Sequence, residues 1–317
     1  MLKTARQTKW DGLRWGLCCI FSDRSPHFRQ ATARHMASIG EDRARSYLAD
    51  AIGANVIALW HALERCDELG IRAFRINSQM LPLATHPRWG YHLTELPGGE
   101  ALDLGFRKVA TLAARLDIAL SVHPDQYNVL NSVVPAVVES TIKEIEHQAL
   151  FCEMVGATTI CLHGGSKAGG LADAQQRLSQ GIERLSDRAR SRLALENDDR
   201  SYTVADLSPV CRDMSVPLIY DVHHHRCNGD GLSEEEATRI ALESWLPRSG
   251  LPWFHISSPR SGWNGGDPRP HSDFINERDI PECWSGLDVV VDVEAKAKES
   301  AVVSLYELSG RSVRTAS

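Results

Sequence analysis

The stretch PLIYDVHHHRCNG, residues 217–229, opens with a short apolar run and closes on an acid and three consecutive histidines. An apolar run of this length, bounded by turn residues, fits a strand buried on both faces, as in a parallel sheet covered by helices. Ending such a strand in Asp221, His223, His224 and His225 puts ionisable groups at its carboxyl end, the end on which parallel barrels build their sites.

The same design recurs along the chain. The other runs are LRWGLCCI (13–20), FRIN (74–77), IALSVH (118–123), TTICLH (158–163), RLALEN (192–197), PWFHIS (252–257) and LDVVVDVE (287–294). Helix-length patterns lie between them. NVIALWHALERCDELG (55–70) places Val56, Leu59, Trp60, Leu63 and Cys66 on one face and stops at Gly70. LGFRKVATLAARL (104–116) behaves similarly, and SEEEATRIALESWL (233–246) opens with Ser233 and Glu236 in a capping-box pattern. Eight strands, seven of them followed by a helical pattern, predict an α/β fold: a single (β/α)8 TIM barrel over residues 1–317, not a doubly wound open sheet. Its active site is expected at the C-terminal ends of the strands. Residues 22–50 read as an insertion after the first strand, bearing Arg24, Arg29, Arg34, Arg43 and Arg45. Residues 1–12 and about 300–317 are expected to be flexible.

The 317 residues suffice for a full core. No apolar run approaches the roughly 18 residues a membrane span needs. The start, MLKTARQTKWDGLRWGL, lacks the apolar segment of a secretion signal. Eight scattered cysteines without a C-x-x-C pair suit reduced thiols in a cytoplasm; a monomer with no membrane contact is expected. The net charge of -6 gives no general pull toward nucleic acid. A local basic patch or bound cations would have to supply it.

The strand ends form a constellation. The third strand ends in His123, the fourth in His163, the fifth in Glu196 and the sixth in Asp221 with the histidine trio. The seventh carries His255 and the eighth ends in Glu294. His86, in LATHPRW, and His271, in RPHSDF, can reach the same mouth from loops. Mixed imidazole and carboxylate donors suit Zn, Mn or Fe(II) better than Ca or Mg alone. So many donors exceed one ion's needs and imply two or three ions. A carboxylate such as Glu196 can bridge ions in a multi-metal hydrolytic site. Strand alternation favours His223 among the three histidines, but a strand turning into a loop breaks that parity, so the choice stays open. Gln126 and Tyr127 follow His123 on a short loop and read either as a capped turn or as a plug for a gap in a base stack. Lys167 and Lys296 lie close to the motif strands, where they would neutralise a backbone phosphate or form structural pairs.

With these residues in hand, the chain resembles the UV damage endonuclease family. The matching segments are ATHP (84–87), LSVHPDQYNVLN (120–131), LHGGSK (162–167), LALENDD (193–199), DVHHHRCN (221–228), FHISS (254–258), RPHSDF (269–274) and VEAKAKE (293–299). The resemblance implies a TIM barrel that nicks damaged double-stranded DNA immediately 5′ of UV photoproducts and some other lesions, leaving a 3′-hydroxyl and a 5′-phosphate. It implies two or three divalent metal ions, Mn first, with Zn or Fe as alternatives. By motif it assigns His86, His123, His163, Glu196, Asp221, His224, His255, His271 and Glu294 as metal ligands and Gln126 and Tyr127 as a damage-probing pair. Two departures stand out. Leu17 and Phe21 occupy places where the family typically carries a tyrosine and an asparagine, which implies an altered lesion-reading surface. Trp253 stands where the family often has a lysine, two residues before His255. The competing readings are a sugar isomerase or epimerase on the same barrel and a protein that binds distorted DNA without cutting it.

Overall fold

The structure is a computed structural model and describes residues 10–309. Its eight strands are β1 (Leu13–Cys18), β2 (Ala73–Ile76), β3 (Ala119–Val122), β4 (Thr159–His163), β5 (Leu193–Glu196), β6 (Leu218–Asp221), β7 (Trp253–Ile256) and β8 (Val289–Val293). They pair in parallel and in sequence order, and β1 closes the barrel against β8 in the register Leu13↔Val289 to Leu17↔Val293. The helices are α1 (Ala33–Ile39), α2 (Glu41–Glu68), α3 (Gly99–Arg115), α4 (Pro135–Val155), α5 (Leu171–Glu183), α6 (Asp187–Arg190), α7 (Val204–Met214), α8 (Val222–Cys227), α9 (Glu234–Trp245) and α10 (Glu299–Leu308). Among the described residues no helix is long and apolar enough to cross a membrane.

Alternation along each strand sorts the side chains into two cores. Phe74, Leu120, Ile160, Leu162, Leu193, Leu195, Tyr220, Phe254 and Val291 join the core shared with the helices. Their sequence neighbours Ala73, Cys161, Ala194, Ile219, Trp253 and Val290 form a second buried cluster, with Ala119 packed against it. This is the apolar filling of the barrel shaft. Trp253 is its one large strand residue, and alanines on β2, β3 and β5 leave room for it. Two residues further along the strands the shaft turns polar: Arg75, Ser121, His163, Glu196, Asp221, His255 and Asp292. All but His163 are at least nine-tenths buried. Gly16 on β1 is required here, because a Cβ on it would meet Asp292 Oδ1 at 2.6 Å.

Three expectations need correction. The segment 22–50 is only partly an insertion, because α2 begins at Glu41. Its buried stripe continues backward through Ile52, Ala49, Leu48 and Ala44. Alanines carry much of that stripe, which makes its periodicity weak in the sequence. The end expected to fray from about 300 is ordered through Leu308 as α10, whose Tyr306 hydroxyl donates to the Trp15 carbonyl at 2.9 Å. Residues 1–9 and 310–317 of the expected flexible ends lie outside the described residues. Finally, Leu17 and Phe21 are buried at 0% and 1% exposure. Leu17 faces the helices and Phe21 stacks on Phe74, so neither belongs to an exposed reading surface.

Candidate metal centre

Glu196, 1% exposed at the end of β5, is the hub of the site. Its Oε2 lies 3.0 Å from His123 Nε2 and 3.8 Å from His163 Nε2. Its Oε1 lies 2.9 Å from His255 Nδ1 and 3.3 Å from His224 Nδ1. Register contributes, since His163 is paired with Glu196 and Asp221 with His255 on neighbouring strands. A second carboxylate, Glu294, sits 3.6 Å from His255 Nδ1 and 3.7 Å from His271 Nδ1. Arg75 donates to it at 2.6 Å.

The histidine trio resolves through helix geometry. The chain does not run from β6 into a loop; it enters α8, with Asp221 as N-cap accepting from the His224 amide at 2.8 Å. Positions i and i+3 share a helix face, so His224 returns toward Asp221, with Nδ1 3.5 Å from Oδ2. His225 turns to the core and bonds Tyr220 and Asp230. His223 packs against His271 and Trp263. Eight of the nine expected donors are thus linked around Glu196 and Glu294: His123, His163, Glu196, Asp221, His224, His255, His271 and Glu294. His86 stands differently. Its Nδ1 accepts from the Arg88 and Trp89 amides at 3.1 Å, which leaves the proton of a neutral ring on Nε2. The ring lines a cavity of about 310 Å³ with Gln79, Asp125 and Asn128.

Other predicted residues occupy the rim. Gln126 and Tyr127 form the tip of a turn closed by the Asn128 amide on the Asp125 carbonyl at 2.9 Å, and Tyr127 is 79% exposed. The turn is capped, and its tyrosine is exposed and not packed. Lys296 is exposed just past β8. Lys167 is engaged elsewhere, donating to Asp206 at 2.7 Å.

The sequence reading missed three shaft residues. Cys161, two residues before His163, has its Sγ 3.0 Å from Glu196 Oε2. Asp292, two before Glu294, lies 3.6 Å from His255 Nε2 and has no hydrogen-bond partner on either oxygen. Arg75 lies 3.9 Å from Asp292 as well as on Glu294. Strand alternation from His163, Glu294 and Ala73 is the signal that would have found them.

The protein balances these charges internally. Burial opposes charge on His255, yet Glu196 and Glu294 raise its pKa to about 9. Burial likewise opposes charge on His224, and Asp221 and Glu196 outweigh it, raising that pKa as well. On His163 burial prevails and the pKa falls. Burial would raise Glu196, but His255 and His163 hold its carboxyl well below the usual range. Glu294 is also lowered, against burial, by Arg75 and His255. Burial raises Asp292 and, with Glu196, holds the Cys161 thiol protonated. Two sets of donor atoms are close enough for one ion each: His123, Cys161 and Glu196, and Glu196, Asp221 and His224.

Fold and site together define a TIM-barrel protein with an imidazole–carboxylate centre at the carboxyl ends of its strands. The chain belongs to the UV-endonuclease UvdE family, whose model matches residues 13–316. It is 30% identical over 302 residues to the UV DNA damage endonuclease of Nostoc sp. (strain PCC 7120), a match covering 92% of this chain and 88% of that one. It is 31% identical over 272 residues to the UV-damage endonuclease of Schizosaccharomyces pombe, covering 80% of this chain and 44% of that one. The chain thus spans less than half the length of the yeast relative. The crystal structure of SacUVDE matches with a TM-score of 0.82 at 25% identity, covering 95% of this chain and 100% of that one.

Because His255 and His224 are raised by folding, their stabilising charge is complete below the ordinary histidine value of 6.5 and is lost as pH climbs through the folded value of about 9 for His255. Chelator-treated protein should therefore melt at progressively lower temperature between pH 6.5 and 9. A flat or rising melting temperature over that window would show that these imidazoles are not held charged by Glu196.

Proposed function

We propose that this chain is a DNA repair endonuclease that nicks the backbone 5′ of UV photoproducts and related lesions, using two or three divalent ions. Mn is the first choice and Zn or Fe the alternatives. The observation that carries this reading is Glu196, whose two oxygens each face two imidazoles in a buried pocket. A carboxylate so placed suits a bridge between ions better than a structural ion pair.

The donor set fits cations. His123 Nδ1 is held by the Pro124 carbonyl at 2.9 Å, which orients Nε2 toward the Glu196 oxygen. Asp221 Oδ2 is buried with no hydrogen-bond partner. The eight linked residues would hold the ions. His86 would join them only with its ring turned over, giving up two backbone hydrogen bonds. Bound there, divalent ions would supply the Lewis acidity and activated water that phosphodiester hydrolysis needs.

The chain's own residues do the positioning. Arg75 fixes Glu294. Asn197 locks β5 to β6 by donating to the Asp221 carbonyl at 2.8 Å and accepting from its amide at 3.0 Å. The exposed Gln126–Tyr127 turn supplies an amide and an aromatic face to fill the gap left by an extruded lesion. Lys296 is free to neutralise a phosphate at the rim, whereas Lys167 serves Asp206 instead.

Purified protein with Mn²⁺ should nick irradiated plasmid and spare plain plasmid. Glu196→Gln should abolish nicking with the fold retained, because the amide keeps the shape and loses the charge. Near-normal nicking by that variant would place the centre elsewhere. Changing Gln126→Ala together with Tyr127→Ala should impair incision of a weakly distorting dimer most and of a strongly helix-opening lesion least. A wedge offsets an unstacking cost of about a few kcal/mol that an open lesion has already met. Equal cutting of every lesion by parent and double variant would reduce the turn to a structural element.

A further inference from the structure

We infer that Cys161 is itself a metal ligand, making the ion on the Oε2 side of Glu196 a thiolate-bound one; this rests on the metal centre proposed above. Three donor atoms meet there, His123 Nε2, Cys161 Sγ and Glu196 Oε2, all within 4.8 Å of one another. Sulfur and nitrogen each lie 3.0 Å from the carboxylate oxygen. A tetrahedral ion with ordinary M–S, M–N and M–O bonds would set these separations at about 3.4 to 3.6 Å, so a shift of about half an ångström closes the site.

Cys161 is not an isolated thiol. The His123 ring is held by the Pro124 carbonyl at Nδ1, which aims Nε2 at the same Glu196 oxygen that the sulfur approaches. One cation between the three atoms would replace both contacts to the Glu196 oxygen with bonds to the metal. The position of Cys161 follows from the barrel. It lies two residues before His163 on β4 and points into the shaft, where its neighbours Ala73, Ala119 and Ala194 are alanines. A valine or alanine would have filled that layer; a thiol adds a soft donor directly beneath the imidazoles.

The chemistry that follows is selectivity. Thiolate donors favour Zn²⁺ and Co²⁺ over Mn²⁺, whereas carboxylates and water suit Mn²⁺. Binding releases the thiol proton to solvent and replaces the S–H contact with Glu196 by a sulfur–metal bond. The Cys161 side of the centre is therefore the softer one. The side formed by Glu196, Asp221 and His224 offers only oxygen and nitrogen.

The test loads the purified protein with Co²⁺ in anaerobic, thiol-free buffer and records its absorption. The parent should show a near-ultraviolet thiolate-to-cobalt charge-transfer band beside the visible d–d bands. Cys161→Ser and Cys161→Ala should lose the charge-transfer band and keep the d–d bands; the alanine matches its neighbours in the layer, so it guards against misfolding. Cys66→Ala, which removes a buried thiol on α2, should keep both. In competition between Zn²⁺ and Mn²⁺, both Cys161 variants should shift occupancy toward Mn²⁺ by about tenfold or more. Visible bands without charge transfer in the parent, or a charge-transfer band surviving in both Cys161 variants, would overturn the thiolate ligand and leave the imidazole–carboxylate centre standing. A parent that takes up no Co²⁺ would overturn both.

Discussion

Side-chain alternation in a closed parallel barrel places every second residue of eight strands in one shaft. In this chain the constraint acts twice. One inward layer is apolar and filled by Trp253 among alanines. The next, two residues along, gathers Arg75, His163, Glu196, Asp221, His255 and Asp292. His123 and Glu294 extend the same rows by two residues. A polar layer at that depth is costly unless each group finds a partner. The imidazoles around Glu196 and the guanidinium on Glu294 provide partners for those two carboxylates.

Charge compensation explains how such a shaft stays folded. Arg75 and the raised His255 balance Glu294 and Glu196 in the metal-free chain. Asp221 Oδ2 and both oxygens of Asp292 remain without hydrogen bonds. Trp253 removes one place from which a lysine could enter the shaft. Arg75 is an interior cation here, reaching from β2 across β1 to the carboxylates of Asp292 and Glu294.

Most of the frame was legible in the sequence. Buried parallel strands are continuous apolar runs, and each of the eight runs became a strand. The capping box at Ser233 and Glu236 formed as its spacing predicts. What escaped detection shares a physical cause: a weak or misleading local signal. The first half of α2 uses alanines, α10 is too short to stand out, and α8 starts where alternation suggested a strand turning into a loop. Only the three-residue helical repeat brings His224, not His223, back to Asp221. Cys161 and Asp292 lie inside apolar strand runs, two positions before His163 and Glu294, where a lone thiol or acid gives little local signal. The resemblance favours His224, and α8 is the element that brings it to Asp221; the burial of Leu17 and Phe21 depends on contacts remote in sequence and left no local signal.

The proposed function depends on Glu196 being a carboxylate shared between ions. Anomalous diffraction at the Mn edge, from crystals grown with Mn²⁺, tests this most directly. The account predicts an anomalous peak beside each Glu196 oxygen, one toward His123 and His163 and one toward His224 and Asp221. A shaft without peaks, or a single peak that contacts neither Glu196 oxygen, would contradict it.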